Sequence, residues 1–158
     1  ILDIKVHDRI SNQEKELLLI CKAYGAIILG KKARIGKLIN EMPELAKDKS
    51  AMNVNILALK VMRLLARKEY SKIIDLEDSL RVYRGKYLRK DSQYRSKVFI
   101  TFLIRLTQSH MRKGILLMKA KKEMDDLTNH PLSTSRTLLL QEPVPYRFLI
   151  DWVLKELK

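Results

Sequence analysis

The stretch NVNILALKVMRLLARKEYSKIIDLEDSLRVYRGKYL, residues 53–88, decides the fold of this chain. In its first half, apolar residues recur every three or four positions, which predicts a helix from Asn53 to near Arg67. The same spacing returns in the second half and predicts another helix, from Tyr70 to about Leu88. The apolar positions are Ile56, Leu57, Val61, Leu64 and Leu65, then Tyr70, Ile73, Ile74, Leu76, Leu80, Tyr83 and Tyr87.

The residues before this stretch predict two further helices. Ser11 and Glu14 have the spacing of a capping box, in which both side chains satisfy free amide groups, so the first helix should begin at Ser11. A glycine ends it after Leu29. A second helix is predicted from Lys32 to Met42, because its apolar residues share one face, and Pro43 ends or kinks it.

The residues after the stretch predict three more helices. Ser92 caps a fifth helix, and a sixth follows a bend at residues 108–110 and reaches Leu127. A polar loop, residues 128–143, leads to a C-terminal helix that starts at Pro145 and packs back over the core. The sequence therefore predicts an all-α fold of about seven helices.

The predicted helices fall into pairs of similar length. The bends within the pairs lie near Lys31, Lys68 and Ser109, at spacings of about 37 and 41 residues. Such spacings are typical of helical repeat proteins. We therefore expect stacked antiparallel helix pairs, completed by a C-terminal docking helix.

The middle pair resembles a tetratricopeptide repeat. Helix A, the turn and the tyrosine-led helix B of that family are matched by Leu57, Val61 and Leu64, and then by KEYSKI at residues 68–73. Ile73 and Leu80 stand where the family usually has alanine, and its end-of-repeat proline is missing. The resemblance centres on residues 53–88. It implies a right-handed array of helix pairs that binds peptides or proteins in a concave groove and performs no chemistry.

The composition is that of one folded domain, residues 1–158, with residues 1–10 as an extended lead-in. Hydrophobic residues make up 46% of the chain and charged residues 32%, which is typical of globular proteins. Apolar stretches are far shorter than the roughly 18–20 residues of a membrane span, so no membrane association is expected. The single cysteine, Cys21, is predicted to be a small core residue in a cytoplasmic protein.

Positive charge is concentrated in one part of the chain. The net charge is +14, and thirteen Lys and Arg residues against one acid, Asp91, lie between Arg81 and Lys122. We therefore predict a basic ridge formed by residues 81–122. Its candidate binding residues are Arg81, Arg84, Lys86, Tyr87, Arg89, Lys90, Tyr94, Arg95, Arg112 and Lys113.

Three explanations of this ridge remain open. Its cations could bind phosphates while a tyrosine ring stacks on an unpaired base. They could bind an acidic protein, or they could form a solvated surface that binds nothing specific. Tyr83 and Tyr87, four residues apart, are equally compatible with a place in the core.

The sequence has no pattern typical of an active site. His7, His110 and His130 are far apart and lack the spacing of metal ligands, and the glycines do not form a phosphate-binding loop. We expect no catalytic residue, no cofactor and no metal. The preferred hypothesis is a noncatalytic helical-repeat scaffold for a protein or acidic-peptide partner. The alternative is a nucleic-acid-binding domain that uses the basic ridge, and the oligomeric state is open.

Overall fold

The computed structural model describes residues 11–31, 53–130 and 141–157. Most of these residues are in helices. No residue of these ranges forms a strand, so the predicted all-α class is confirmed for them. The predicted helix Lys32–Met42 and the lead-in lie outside the described residues. The helices are α1 (Asn12–Ile28), α2 (Asn53–Ala66), α3 (Tyr70–Ile74), α4 (Glu77–Tyr87), α5 (Tyr94–Gln108), α6 (Lys113–Lys119), α7 (Lys121–Asn129) and α8 (Tyr146–Glu156), with a 3-10 turn at Asp91–Gln93.

Several predicted helix ends are confirmed. The capping box at the start of α1 is present, since the amide of Glu14 donates to Ser11 Oγ and the amide of Ser11 donates to the Glu14 carboxylate. The chain turns at Lys68 with φ 58° and again at His110 and Met111 with φ 50° and 60°. These positive φ angles lie in the left-handed region, which no helix continues through.

Two predicted helices are interrupted. The helix predicted from Tyr70 to Leu88 breaks between α3 and α4, where the amide of Leu76 bonds back only three residues to Ile73. This tighter turn redirects the chain and starts α4 at Glu77. The predicted sixth helix breaks at Ala120, which has φ −104° and ψ 10° and is fully buried.

Other positions also differ from the sequence-based predictions. Helix α7 continues to Asn129, two residues into the predicted loop 128–143, and most of the remaining loop lies outside the described residues. Cys21 is exposed on α1 rather than buried. Met118, an apolar residue of the predicted sixth helix, is 82% exposed. The helical spacing of apolar residues predicts where a helix forms. It does not show which of its faces packs against a neighbouring helix.

Helices α2 and α5 form the centre of the core. Helix α2 packs against α1, α3, α5 and α8, and α5 packs against α4, α6 and α7 as well. The C-terminal helix α8 packs on α2 and α7, and Tyr146 at its start stacks on Phe99 of α5 with ring centroids 4.2 Å apart. The Tyr146 hydroxyl also lies 2.9 Å from Ser96 Oγ. None of the described helices has the length and apolar character needed to cross a membrane.

A buried polar contact links three parts of the chain. Tyr24 of α1 donates its hydroxyl hydrogen to Asn55 Oδ1 at 3.2 Å, and Asn55 Nδ2 donates to the carbonyl of Gln141 at 3.0 Å. Asn55 is fully buried. Burial also raises the pKa of Tyr24 well above its usual value, so its hydroxyl stays a donor. One amide side chain therefore holds α1 and the segment before α8 against α2.

We predict that Asn55→Ala destabilises the protein more than Tyr24→Phe does. The alanine removes two buried hydrogen bonds and leaves the Tyr24 hydroxyl and the Gln141 carbonyl only their longer bonds, with the Asn55 carbonyl at 3.4 Å and the Tyr146 hydroxyl at 3.3 Å. Tyr24→Phe removes one donor, and each lost bond costs about 1 kcal/mol. Denaturant unfolding of the two variants measures the free energies. Equal losses, or none, would show that the buried amide does not hold these segments together.

Candidate binding surface

The predicted basic ridge lies on helices that run in opposite directions. The start of α4 meets the end of α5, since Thr107 Oγ1 and Gln108 Nε2 donate to the Glu77 carboxylate at 3.1 Å. Further along, Arg84 Nη1 donates to Thr101 Oγ1 at 3.2 Å. Helices α4 and α5 are therefore antiparallel. The end of α4 and the start of α5 lie at one end of the protein.

Arg81 is held by a carboxylate of its own helix. Its Nε and Nη2 both donate to Glu77 Oε1, at 2.9 and 2.7 Å. The hydrogen bonds that Glu77 accepts, chiefly from Arg81 and then from Gln108, lower the pKa of its carboxyl. Charge at this position of the ridge is thus largely neutralised by a neighbouring acid.

Arg95 does not lie on the surface of the predicted ridge. Its side chain is 15% exposed and binds the Glu142 carboxylate, which is 2% exposed, through two hydrogen bonds of 2.8 Å. These bonds raise the pKa of the Arg95 guanidinium. Arg95 also donates to the carbonyls of Leu127 and His130 at the end of α7. Glu142 in turn accepts from the amide of Tyr146, the first residue of α8, at 2.7 Å.

Arg105, a further cation of the ridge, is also occupied by an acid. Its Nε lies 3.4 Å from Glu123 Oε1 on α7, and its Nη1 donates to Gln108 Oε1 at 3.2 Å. Glu123 is 6% exposed. Three ridge cations therefore pair with described acids: Arg81, Arg95 and Arg105.

The tyrosines predicted to stack on bases are engaged within the protein. Tyr83 is 8% exposed, and the half-buried ring of Tyr87 packs on it at 5.2 Å between centroids. The Tyr94 hydroxyl donates to Asp126 at 3.1 Å, and its ring packs against His130. Tyr94 nevertheless stays 39% exposed, so of these three rings it is the most accessible to a stacking base.

Most of the exposed cations form two separate groups, and Lys97 in the first turn of α5 belongs to neither. Lys86, Arg89 and Lys90, which we call the α4-end cluster, surround the end of α4, where Arg89 Nε bonds the Gly85 carbonyl and Lys86 lies over the Tyr87 ring. The second group, which we call the α6 cluster, consists of Arg112, Lys113, Lys119, Lys121 and Lys122. Its members are exposed except for Lys113, which is half-buried.

The two clusters lie at opposite ends of α5. The α4-end cluster precedes the first turn of this helix, whereas Lys119 of the α6 cluster donates to the carbonyl of Gln108, its last residue, at 3.1 Å. A helix of 15 residues is about 22 Å long. The ten predicted residues therefore do not converge on one site, because Lys86, Arg89 and Lys90 lie near the start of α5, whereas Arg112 and Lys113 follow its end, where Arg81 is held by Glu77.

The outward face of α6 was not predicted from the sequence. Leu116 is its one fully buried residue, and Leu117 and Met118 are 40% and 82% exposed. Gly114 lies on the same face, and a Cβ atom added there would meet nothing within 4 Å. All four residues from Ile115 to Met118 are apolar. Such a run does not show which side chain is exposed, so the sequence could not predict this surface.

The described residues contain no group of three His, Cys, Asp or Glu side chains placed to hold a metal ion. Comparison with known proteins found no matching family model, no similar curated protein and no similar solved structure.

We predict that Arg95→Met destabilises the protein by about 3–5 kcal/mol, because it leaves the buried Glu142 carboxylate without its partner. The double variant Arg95→Met/Glu142→Leu should recover much of this loss, since both charges are then removed. Thermal and denaturant unfolding provide the measurement, with Arg89→Met at an exposed position as the control. A loss no larger than that of Arg89→Met would contradict a structural role for Arg95.

The lowered pKa of Glu77 predicts a specific dependence of stability on pH. Its contribution is complete above about pH 4.3, the usual value in an unfolded chain, and is lost as the pH falls through the lower folded value. The stability difference between wild type and Glu77→Gln should therefore shrink on acidification. Asp78→Asn, an exposed neighbour, is the control, and a difference that stays constant down to about pH 3 would refute the role of Glu77.

Proposed function

We propose that this protein is a noncatalytic helical scaffold that binds an acidic protein or peptide through its exposed cations. One observation carries the proposal: of the thirteen cations between Arg81 and Lys122, three pair with described acids and ten do not. A large excess of one charge on a surface favours association with partners of opposite charge and speeds their encounter. The excess persists after the ion pairs among the described residues are taken into account.

A protein partner accounts for this surface better than a single-stranded nucleic acid does. Proteins that bind single strands combine cations with aromatic rings on which bases stack. Here Tyr83 and Tyr87 pack on each other, and Tyr94 is bound to Asp126. Contacts to phosphates alone would remain possible for the cations, and they would make any nucleic-acid binding steeply dependent on salt.

The scaffold is further proposed to be of the helical-repeat type and cytoplasmic. Antiparallel packing of α4 and α5, and sharp turns at Lys68 and at residues 110–111, support the repeat relation. A single cysteine supports a reducing compartment.

The test compares a labelled peptide of glutamates and leucines with a labelled RNA of equal charge, by fluorescence anisotropy over a series of salt concentrations. We predict that the peptide binds near physiological salt. Reversing the charges of either cluster should weaken peptide binding at least about tenfold, because the cations of each cluster pair with no described acid. The two reversed proteins are Lys86→Glu/Arg89→Glu/Lys90→Glu and Arg112→Glu/Lys121→Glu/Lys122→Glu.

The matched control reverses three exposed lysines of the N-terminal part, Lys15, Lys22 and Lys31, and should change the peptide affinity much less. If the control lost as much peptide affinity as the cluster variants, net charge alone would explain the binding, and the proposal would be contradicted. Tighter binding of RNA than of the peptide, with a steep decrease in salt, would establish the nucleic-acid alternative instead.

A further inference from the structure

Helix α6 presents apolar side chains to solvent where a surface helix normally presents polar ones. Counted around the helix at 3.6 residues per turn, Gly114, Leu117 and Met118 lie together, opposite the buried Leu116. Met118 is 82% exposed and Leu117 40%. Methionine side chains adapt their shape to different partners and are frequent at binding surfaces of broad specificity. Gly114 adds no side chain to this face, and the space above it is open.

Cations flank this apolar face along the chain. Residues 112–122 contain five Lys or Arg and no acid. Lys119 is fixed against the protein by its hydrogen bond to the Gln108 carbonyl. The exposed Lys121 and Lys122 follow the break at Ala120 and begin α7. An apolar centre within a charged rim is the usual anatomy of a protein interface.

We propose that the face of α6 formed by Gly114, Leu117 and Met118, together with the α6 cluster, is the docking site for an acidic amphipathic helix of another protein. Apolar side chains of that helix cover Leu117 and Met118, the helix approaches closely over Gly114, and its carboxylates bind the cations of the α6 cluster. The proposal rests on the proposed function and specifies the surface and the shape of the partner.

Charge argues against an occupant from the same chain. The segments outside the described residues, 1–10, 32–52 and 131–140, carry no net negative charge, so none complements the five cations. A second copy with the same face would bring like charges together.

An anionic membrane also fits this surface less well than a peptide does. Only two apolar side chains are exposed on α6, and membrane affinity at an interface grows with the apolar area inserted. The exposed acid Asp125 follows Lys121 by one helical turn on α7 and would face an extended anionic plane. A discrete helix can bind beside Asp125 without covering it.

The experiment is a selection of peptides from a random display library on the purified full chain. Selected sequences should carry acids and spaced apolar residues. The strongest should bind at least about tenfold more weakly to Leu117→Ser/Met118→Ser, which removes the apolar centre. Gly114→Trp places a bulky side chain beside Leu117 and Met118 at a position open to solvent, and it should weaken binding by keeping the partner helix away from them. Val82→Ser, at a 65% exposed valine of α4, is the matched control and should bind like wild type.

The outcomes separate this proposal from the proposed function. Acidic peptides that bind Leu117→Ser/Met118→Ser as tightly as wild type would overturn the docking site and leave the acidic-partner function standing. A selection that enriches no acidic peptide would overturn both. Vesicles of phosphatidylserine and phosphatidylcholine form the second arm, and tight vesicle binding that depends on Leu117 and Met118 would replace the peptide with a membrane surface.

Discussion

The arrangement of the C-terminal half depends on the buried ion pair between Arg95 and Glu142. Arg95 binds the carboxylate and the carbonyls that end α7, and Glu142 binds the amide that begins α8. Buried charges are costly unless all their hydrogen-bonding groups are used. The pair therefore fixes the start of α5, the end of α7 and the start of α8 in one geometry, and α8 then buries Tyr146, Leu149, Ile150 and Val153.

Features set by neighbouring residues were predictable from the sequence. The capping box of α1 needs only Ser11 and Glu14, and the all-α class follows from apolar residues at helical spacing. The turns near Lys68 and Ser109 were also found, since the apolar pattern stops there. The breaks at residues 75–76 and at Ala120 were not, because the apolar pattern continues through both and packing against other helices decides where each segment turns.

Features set by contacts distant in sequence were not predictable. Arg95 belongs to a run of cations, and nothing near it indicates a carboxylate 47 residues further along the chain. The same limit applies to the basic ridge, which is contiguous in sequence but whose cations are spread along the length of α5. The exposed side of α6 could not be predicted either, because its residues are as apolar as those of the core.

The separation of the two cationic clusters has an electrostatic consequence. At physiological ionic strength the Debye length is about 8 Å, and the clusters lie at the two ends of a 15-residue helix, roughly 22 Å apart. Between them the potential decays over more than two such lengths. The two clusters are therefore electrostatically independent: neutralising the charge of one would leave the field at the other almost unchanged.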